Sequence, residues 1–306
     1  MVSNMRPDRE HPERGSFVRD QVTALQSLGG AEVELHEFPP GPRALGAAAA
    51  ELRRRYGRRP RFDVVHAHFG LTAWPALAVP ARVRALTMHG TDLADPRTRL
   101  ATRAVLARID LPAAVSRELA QRIPGRARAR AEVLPCGVDT ARFRPLAAVQ
   151  ARRELGLDEE RAFLLFGADP ARPEKRFELA RELADAAGVE LRTLGAVAPE
   201  RVPLWVNAAN AVLVPSSREG FGLAVLEALA CDVPVLATPV GVHAEALAGV
   251  QGTLCAPFET TTWRAALEPA LSHGTLRVRG RSAAERFSAA TMAERVLAAW
   301  ERALSR

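Results

Sequence analysis

Between residues 163 and 255, short and largely apolar runs recur, each followed by a loop and an amphipathic stretch. They are Phe163–Gly167, Val189–Leu194, Ala211–Val214, Pro234–Ala237 and Gly252–Cys255, with helices expected to start near Glu174, Pro199, Gly222, His243 and Thr262. Runs this short, with little polar alternation, are buried on both faces, as in the centre of a parallel sheet. Parallel neighbours need crossover connections, so the regular alternation restricts this half of the chain to a doubly wound α/β sheet.

The first half shows the same alternation less cleanly. A helix is expected over Phe17–Leu28, ended by Gly29-Gly30, then a strand over Ala31–Phe38 and a turn at Pro39–Pro42. A helix through Ala50–Tyr56, a strand at Asp63–His66, a short strand at Arg84–Met88 and a helix at Arg99–Ala107 follow. Gly137–Pro145 reads as a loop and Pro145–Gln150 as a linker. At 306 residues the chain has the length of about two domains. The expected division is 1–145, 146–285 and a C-terminal piece, 286–306, whose helix Ala289–Leu304 returns to the first domain. Two open α/β domains in tandem are expected to place a ligand cleft at the carboxyl ends of their strands.

Composition excludes several classes. Apolar residues make up 48% and charged residues 25%, the balance of a folded globular chain. No window approaches 18 consecutive apolar residues. The N-terminus has no apolar core segment and carries Asp8, Glu10 and Glu13, unlike a signal or transit peptide. Cys136, Cys231 and Cys255 are far apart and odd in number, so reduced thiols and a cytoplasmic location are expected. Of the 42 basic residues, Lys175 is the only lysine. Residues 1–150 hold 24 basic and 15 acidic side chains, a net of +9, against 18 and 20, a net of −2, in residues 151–306. The first half is therefore expected to meet something anionic. Its Arg53–Arg61 run suits either an anionic membrane surface, on the inner face of the plasma membrane, or simple solvation. Without interleaved aromatics, nucleic acid is not expected as a partner.

Three motifs carry chemistry. In Pro215-Ser-Ser-Arg-Glu-Gly-Phe-Gly-Leu-Ala-Val-Leu-Glu227 a strand runs into a glycine loop and a helix. Gly220 and Gly222 let the backbone approach a ligand, and unpaired amides at the helix start suit a phosphate. Glu219 and Glu227 lie eight residues apart. At ~1.5 Å per helical residue this is at most about 12 Å, the reach from sugar to ribose of a nucleotide sugar. In Phe166-Gly-Ala-Asp-Pro-Ala-Arg-Pro-Glu-Lys175, Arg172 and Lys175 are candidate cations for an anionic ligand group at the same strand ends. Thr87-Met-His-Gly-Thr-Asp92 sets His89 at a strand end. His66 and His68 share one strand face, but no third metal ligand is visible, so they read as structural or cleft-lining.

With its flanks, EGFGLAVLEALACDVPVLATPVG resembles the donor-site signature of the family 4 retaining glycosyltransferases. The resemblance implies the GT-B fold, two tandem Rossmann-like domains. It implies that Glu219 contacts the transferred sugar as a catalytic residue and that Glu227 holds the ribose hydroxyls. Gly220, Phe221, Gly222 and Leu223 would complete the donor loop. Lys175 matches the family's Glu-Lys-Gly lysine. Ala168 stands where the family has an arginine, which leaves Arg172 as the candidate for the missing cation. His89 matches the family's HG-x-D histidine, which faces the transferred sugar. Val133–Pro145 resembles the interdomain N-G-V-D signature, with Cys136 in the asparagine's place. Gly15 fits the glycine loop against the donor phosphates. The strand before that loop reads as truncated, since only Met1 and Val2 precede Ser3. Either the start codon is placed too late or the sheet has lost a strand.

The resemblance implies a metal-independent retaining transferase with no cofactor. It would move a sugar from a UDP- or GDP-linked donor to a sugar, lipid-linked or small-molecule hydroxyl, in envelope or exopolysaccharide synthesis. No D-x-D metal motif occurs. Two rivals stand beside it: a nucleotide-sugar-binding protein without transferase activity, and a GT-B sugar-nucleotide epimerase.

Overall fold

The computed structural model describes residues 1–58, 61–195, 197–272 and 275–306. The chain forms two compact units, Met1–Gly137 with Ala289–Arg306, and Val138–Ser288.

The first unit is built on a six-stranded parallel sheet. Its strands are β1 (Val2–Ser3), β2 (His36–Glu37), β3 (Phe62–His68), β4 (Ala81–Met88), β5 (Leu111–Ala114) and β6 (Glu132–Val133), in the order β2-β1-β3-β4-β5-β6. Although only two residues long, β1 lies inside the sheet, with Val2 opposite His36 and Ala67. That shortness explains a correction. The strand expected over Ala31–Phe38 is reduced to His36–Glu37, because among the described residues β2 pairs with the two-residue β1 alone. β5 was not expected. It is four residues long and carries Pro112, so it shows little strand signal. β6 begins only opposite Ala113, so Pro112 pairs on one side alone.

Helices α1 (Ser16–Leu28), α2 (Pro42–Tyr56), α3 (Ala73–Ala76), α4 (Thr91–Ala94), α5 (Pro96–Val105) and α6 (Arg117–Gln121) fill the crossovers. The C-terminal helix spans Ala289–Leu304, as read from the sequence, and belongs to this unit. Its buried Met292, Val296 and Trp300 pack with Val22 and Leu25 of α1 and with Leu111. Each such side chain contributes about 1.5–3 kcal/mol by leaving water, which binds the helix to the sheet.

The second unit holds a five-stranded parallel sheet of β7 (Phe163–Phe166), β8 (Glu190–Thr193), β9 (Ala211–Val214), β10 (Val235–Ala237) and β11 (Leu254–Cys255), in the order β11-β10-β9-β7-β8. All five follow the expected runs closely. Around them lie α7 (Ala148–Leu155), α8 (Phe177–Ala187), α9 (Val202–Ala208), α10 (Leu223–Ala230), α11 (His243–Leu247), α12 (Thr260–Ser272) and α13 (Arg281–Glu285). Leu164, Phe166, Leu213, Leu236 and Trp263 form the core. The linker expected at Pro145–Gln150 runs instead into α7. Arg152, on that helix, is buried and spends its donors on Ala208 O (2.9 Å), Asn210 Oδ1 (2.8 Å) and Glu159 O (2.7 Å). Three hydrogen bonds to the guanidinium offset much of the penalty for burying it, and polar periodicity could not disclose that. Because every strand in a sheet runs the same way, the loops after β7 and β9, and those after β1, β3 and β4, gather at the carboxyl edge of their own sheet.

Candidate functional site

In the second unit the loop after β9 runs from Pro215 to Gly222 and delivers α10. Gly222 precedes the helix at φ 113°, with no side-chain cap on the first-turn amides. A Cβ here would lie 2.5 Å from Nε2 of His243, so only glycine fits both the dihedral and the space. Uncapped amides at this helix start have no intrahelical acceptor and attract an anion.

Glu219 faces the loop after β7. Its carboxylate accepts two bonds from the Lys175 ammonium, at 2.6 and 2.8 Å, and one from the Ser216 hydroxyl at 2.7 Å. The two charged side chains are only 12% and 9% exposed. The loops are also joined through the backbone, Ser217 N–H donating to Glu174 O at 2.8 Å. An ammonium has three donors, and Lys175 Nζ bonds to Glu219 alone among the described residues, which leaves one N–H for a further acceptor. Lys175 sits in a 3₁₀ turn, Pro173–Lys175, before α8.

The other expected donor residues fall as follows. Arg172 turns back onto Glu174, its Nε and Nη2 donating to Oε1 at 3.0 and 2.6 Å, and is half exposed. The structure therefore joins Lys175 to Glu219 and Arg172 to Glu174. The Phe221 ring is buried 6.1 Å from Phe287, so this residue offers a ligand its backbone more readily than its ring. Gly220 lies in the loop, Leu223 opens α10, and Glu227 stands partly buried on that helix. Two residues that the sequence reading passed over support the loop. Thr238 donates its hydroxyl to Ser216 O, and His243 Nδ1–H donates to Thr238 O at 2.8 Å. His243 appeared in the sequence only as a helix start, and its ring lies against Gly222 through chain folding.

In the first unit, Gly15 and His89 come to the same edge of the sheet. Gly15 is buried at φ 70° ahead of α1, where a side chain would strike Met5. Phe17, two residues on, packs its ring 4.9 Å from that of His89. His89 follows β4 and is bonded through Nε2 to His68 Nδ1 at 3.0 Å. Burial pushes the pKa of His89 down to about 3, and that of His66 likewise, so both rings are uncharged near neutrality. Asp92 accepts the backbone N–H groups of Gly70 and of His89, the latter at 2.6 Å, and burial raises its pKa. A cavity of about 590 Å³ in this unit lies elsewhere, lined by Met1, Glu34, Tyr56, Phe62 and Trp300 near the start of β3.

Arg53, Arg54 and Arg55 are exposed in the last turn of α2, where they complement the negative end of its dipole. Arg58 and Arg61 are exposed as well, while positions 59 and 60 of the run lie outside the described residues. Among the described residues no group of three or more His, Cys, Asp or Glu is placed to hold a metal ion, and no helix is long and apolar enough to cross a membrane. Burial raises the Cys136 thiol to about 12.

Comparison with known proteins bears on both units. Residues 7–142 match the family model described as glycosyltransferase family 4, and residues 146–273 match glycosyl transferases group 1. D-inositol 3-phosphate glycosyltransferase from Pseudarthrobacter chlorophenolicus is 29% identical, over 93% of this chain and 79% of its own. The enzyme of the same name from Frankia alni is 30% identical, over 93% and 85%. HepE of Anabaena, solved with UDP and glucose, superposes with a TM-score of 0.72 at 16% identity, covering 98% of each chain. Sucrose-phosphate synthase from Thermosynechococcus elongatus gives 0.65 at 18%, covering 99% of this chain and 96% of its own. Both structures share the two-sheet α/β architecture, the GT-B fold. The sequence matches over both halves, joined to this fold, make the chain a member of glycosyltransferase family 4.

Proposed function

We propose that this glycosyltransferase moves a sugar from a nucleotide-linked donor to a hydroxyl acceptor with retention of anomeric configuration. The observation that carries the reading is the Lys175–Glu219 pair beside the uncapped start of α10, at the carboxyl edge of the second sheet. The α10 amides and the remaining N–H of Lys175 bind the diphosphate and stabilise it as it departs. Glu219, held by Ser216 and Lys175, accepts hydrogen bonds from the transferred sugar. Glu227 binds the ribose hydroxyls, and Arg172 adds positive charge once its bond to Glu174 yields to a phosphate. His89 contacts the transferred sugar, and the acceptor oxygen attacks from the face the diphosphate leaves. No divalent metal is required in this scheme, because cations and amides of the chain neutralise the leaving group.

UDP is the first nucleotide to test, since HepE was solved with UDP and glucose, and GDP the second. A polyol phosphate is the first acceptor to test, given the inositol 3-phosphate enzymes among the relatives. A thermal-shift screen of UDP- and GDP-sugars identifies the donor, because a ligand at about 100 times its Kd stabilises the fold by ~2.7 kcal/mol. Slow hydrolysis of that donor, lost in Glu219→Ala, supports the reading. Donor binding with no turnover by the wild type for any acceptor overturns it in favour of a binding protein.

A further inference from the structure

The His89 ring is held from three sides. Phe17 of α1 lies 4.9 Å from it, Phe69 lies 4.6 Å from it, and His68 bonds its Nε2 at 3.0 Å. Phe69 adopts φ 73°, in the left-handed region that a bulky side chain avoids at a cost of about 1–2 kcal/mol. Strain of this kind persists where the surroundings enforce it, and it gathers at functional sites. Here it turns the chain immediately after His68 and lays the Phe69 ring on His89.

Between His68 Nδ1 and His89 Nε2 there is room for one proton, and the far nitrogen of His68 decides who carries it. His68 Nε2 is buried and has no hydrogen-bond partner among the described residues. A proton there would be an orphaned N–H, the rarer and costlier kind of unpaired group, at about 1–3 kcal/mol. A bare lone pair in the same place is the milder defect. The proton therefore sits on His68 Nδ1 and is donated to His89 Nε2. Burial keeps His89 neutral, so its own single proton is on Nδ1. His89 Nδ1 bonds to no described residue.

The neighbouring ring follows the same logic. Trp300 Nε1–H donates to His66 Nδ1 at 3.1 Å, so His66 donates from Nε2 to Thr87 Oγ1 at 2.8 Å. His66 stacks on His68 at 5.0 Å and 15°. Among the described residues the titratable groups near this stack are the Asp92 carboxyl, which accepts two backbone amides, and the Met1 amino group, whose pKa burial lowers to about 6.

We propose that His68 is a positioning residue that fixes His89 as its Nδ1–H tautomer, so that His89 meets the carbohydrate as a hydrogen-bond donor and not as a base. This rests on the reading that His89 faces the transferred sugar. The tautomer itself does not depend on that reading and is measured separately.

Long-range ¹H–¹⁵N correlation spectra of the ¹⁵N-labelled full chain, without substrate, show which nitrogen of each imidazole is protonated. The expected result is a protonated Nδ1 and a bare Nε2 at His89. The reverse assignment overturns the proposal with no variant needed. His68→Phe keeps a ring of similar shape and removes the donor, whereas His68→Asn places an amide N–H near the position of Nδ1. In turnover of a UDP- or GDP-sugar, His68→Phe is expected to lower kcat about 10- to 100-fold, on the scale of losing the partner that orients a metal-bound histidine, with the donor KM nearly unchanged. His68→Asn is expected to restore most of the loss and the Nδ1–H signal. Equal loss in the two variants overturns the positioning role. If no nucleotide sugar is turned over, the proposed function fails, while the tautomer assignment stands or falls on the spectra.

Discussion

Lys175→Met tests whether the ion pair at the centre of the proposed donor site acts as one unit. Removing the ammonium leaves Glu219, a carboxylate only 9% exposed, with the Ser216 hydroxyl as its remaining charge-stabilising partner. Breaking a fully buried pair costs about 3–5 kcal/mol. Both side chains keep roughly a tenth of their surface in water, so about 2–3 kcal/mol is expected here. In a unit of this size each kcal/mol lowers Tm by about 2–4 °C. Glu219→Gln, which strands the ammonium, should cost a similar amount. The double variant removes both charges, so its loss should fall short of the summed single losses by about 1–3 kcal/mol, the coupling expected for groups in direct contact. Urea unfolding of the four proteins measures each term, with donor hydrolysis followed in parallel. Additivity within ~0.5 kcal/mol would refute the reasoning, because independent sites add and partners do not. Activity should be lost in all three variants whatever the stability recovers.

Gly222→Ala should destabilise the second unit by about 2–4 kcal/mol, combining the left-handed dihedral with a Cβ against the anchored His243 ring; an unchanged melting curve would show that the turn relaxes. His66 and His89 are held near 3 against an ordinary 6.5, so the folded state binds fewer protons than the unfolded chain between those values. Stability should therefore be intact above pH 6.5 and decline on acidification towards pH 3, by up to about 1.4 kcal/mol per pH unit for each ring, with His66→Gln flattening the slope of Trp300-reported unfolding. Glu259 ahead of α12 is drawn down to about 2 by the Thr262 side chain and by the amides of Thr262 and Thr261. Its contribution should be present above pH 4.5 and be lost as pH falls through 2, so that Glu259→Gln and the wild type differ at pH 7 and converge on acidification.

Much of the fold could be read along the chain. Ala211–Val214 and Ala289–Leu304 have the bounds the residues suggested, because a buried run or an amphipathic stripe is a local pattern that survives into the folded state. The first sheet was harder to read. Its three shortest strands, β1, β2 and β6, owe their place to neighbours and not to their own composition.

The same distinction holds at the site. Residue type and spacing marked Lys175, Glu219, Gly222 and His89 as chemically interesting, and matches over both halves place the chain in its family. The partnerships were not legible. Lys175 meets Glu219 across 44 residues, His68 meets His89 across 21, Arg172 turns to Glu174, and His243 lies against Gly222. A helix or strand records its burial every two to four residues, so sequence alone determined the parallel architecture and the candidate groups. Which nitrogen faces which, and which cation neutralises which carboxylate, depends on loops brought together by sheet order, and only the tertiary structure decides that.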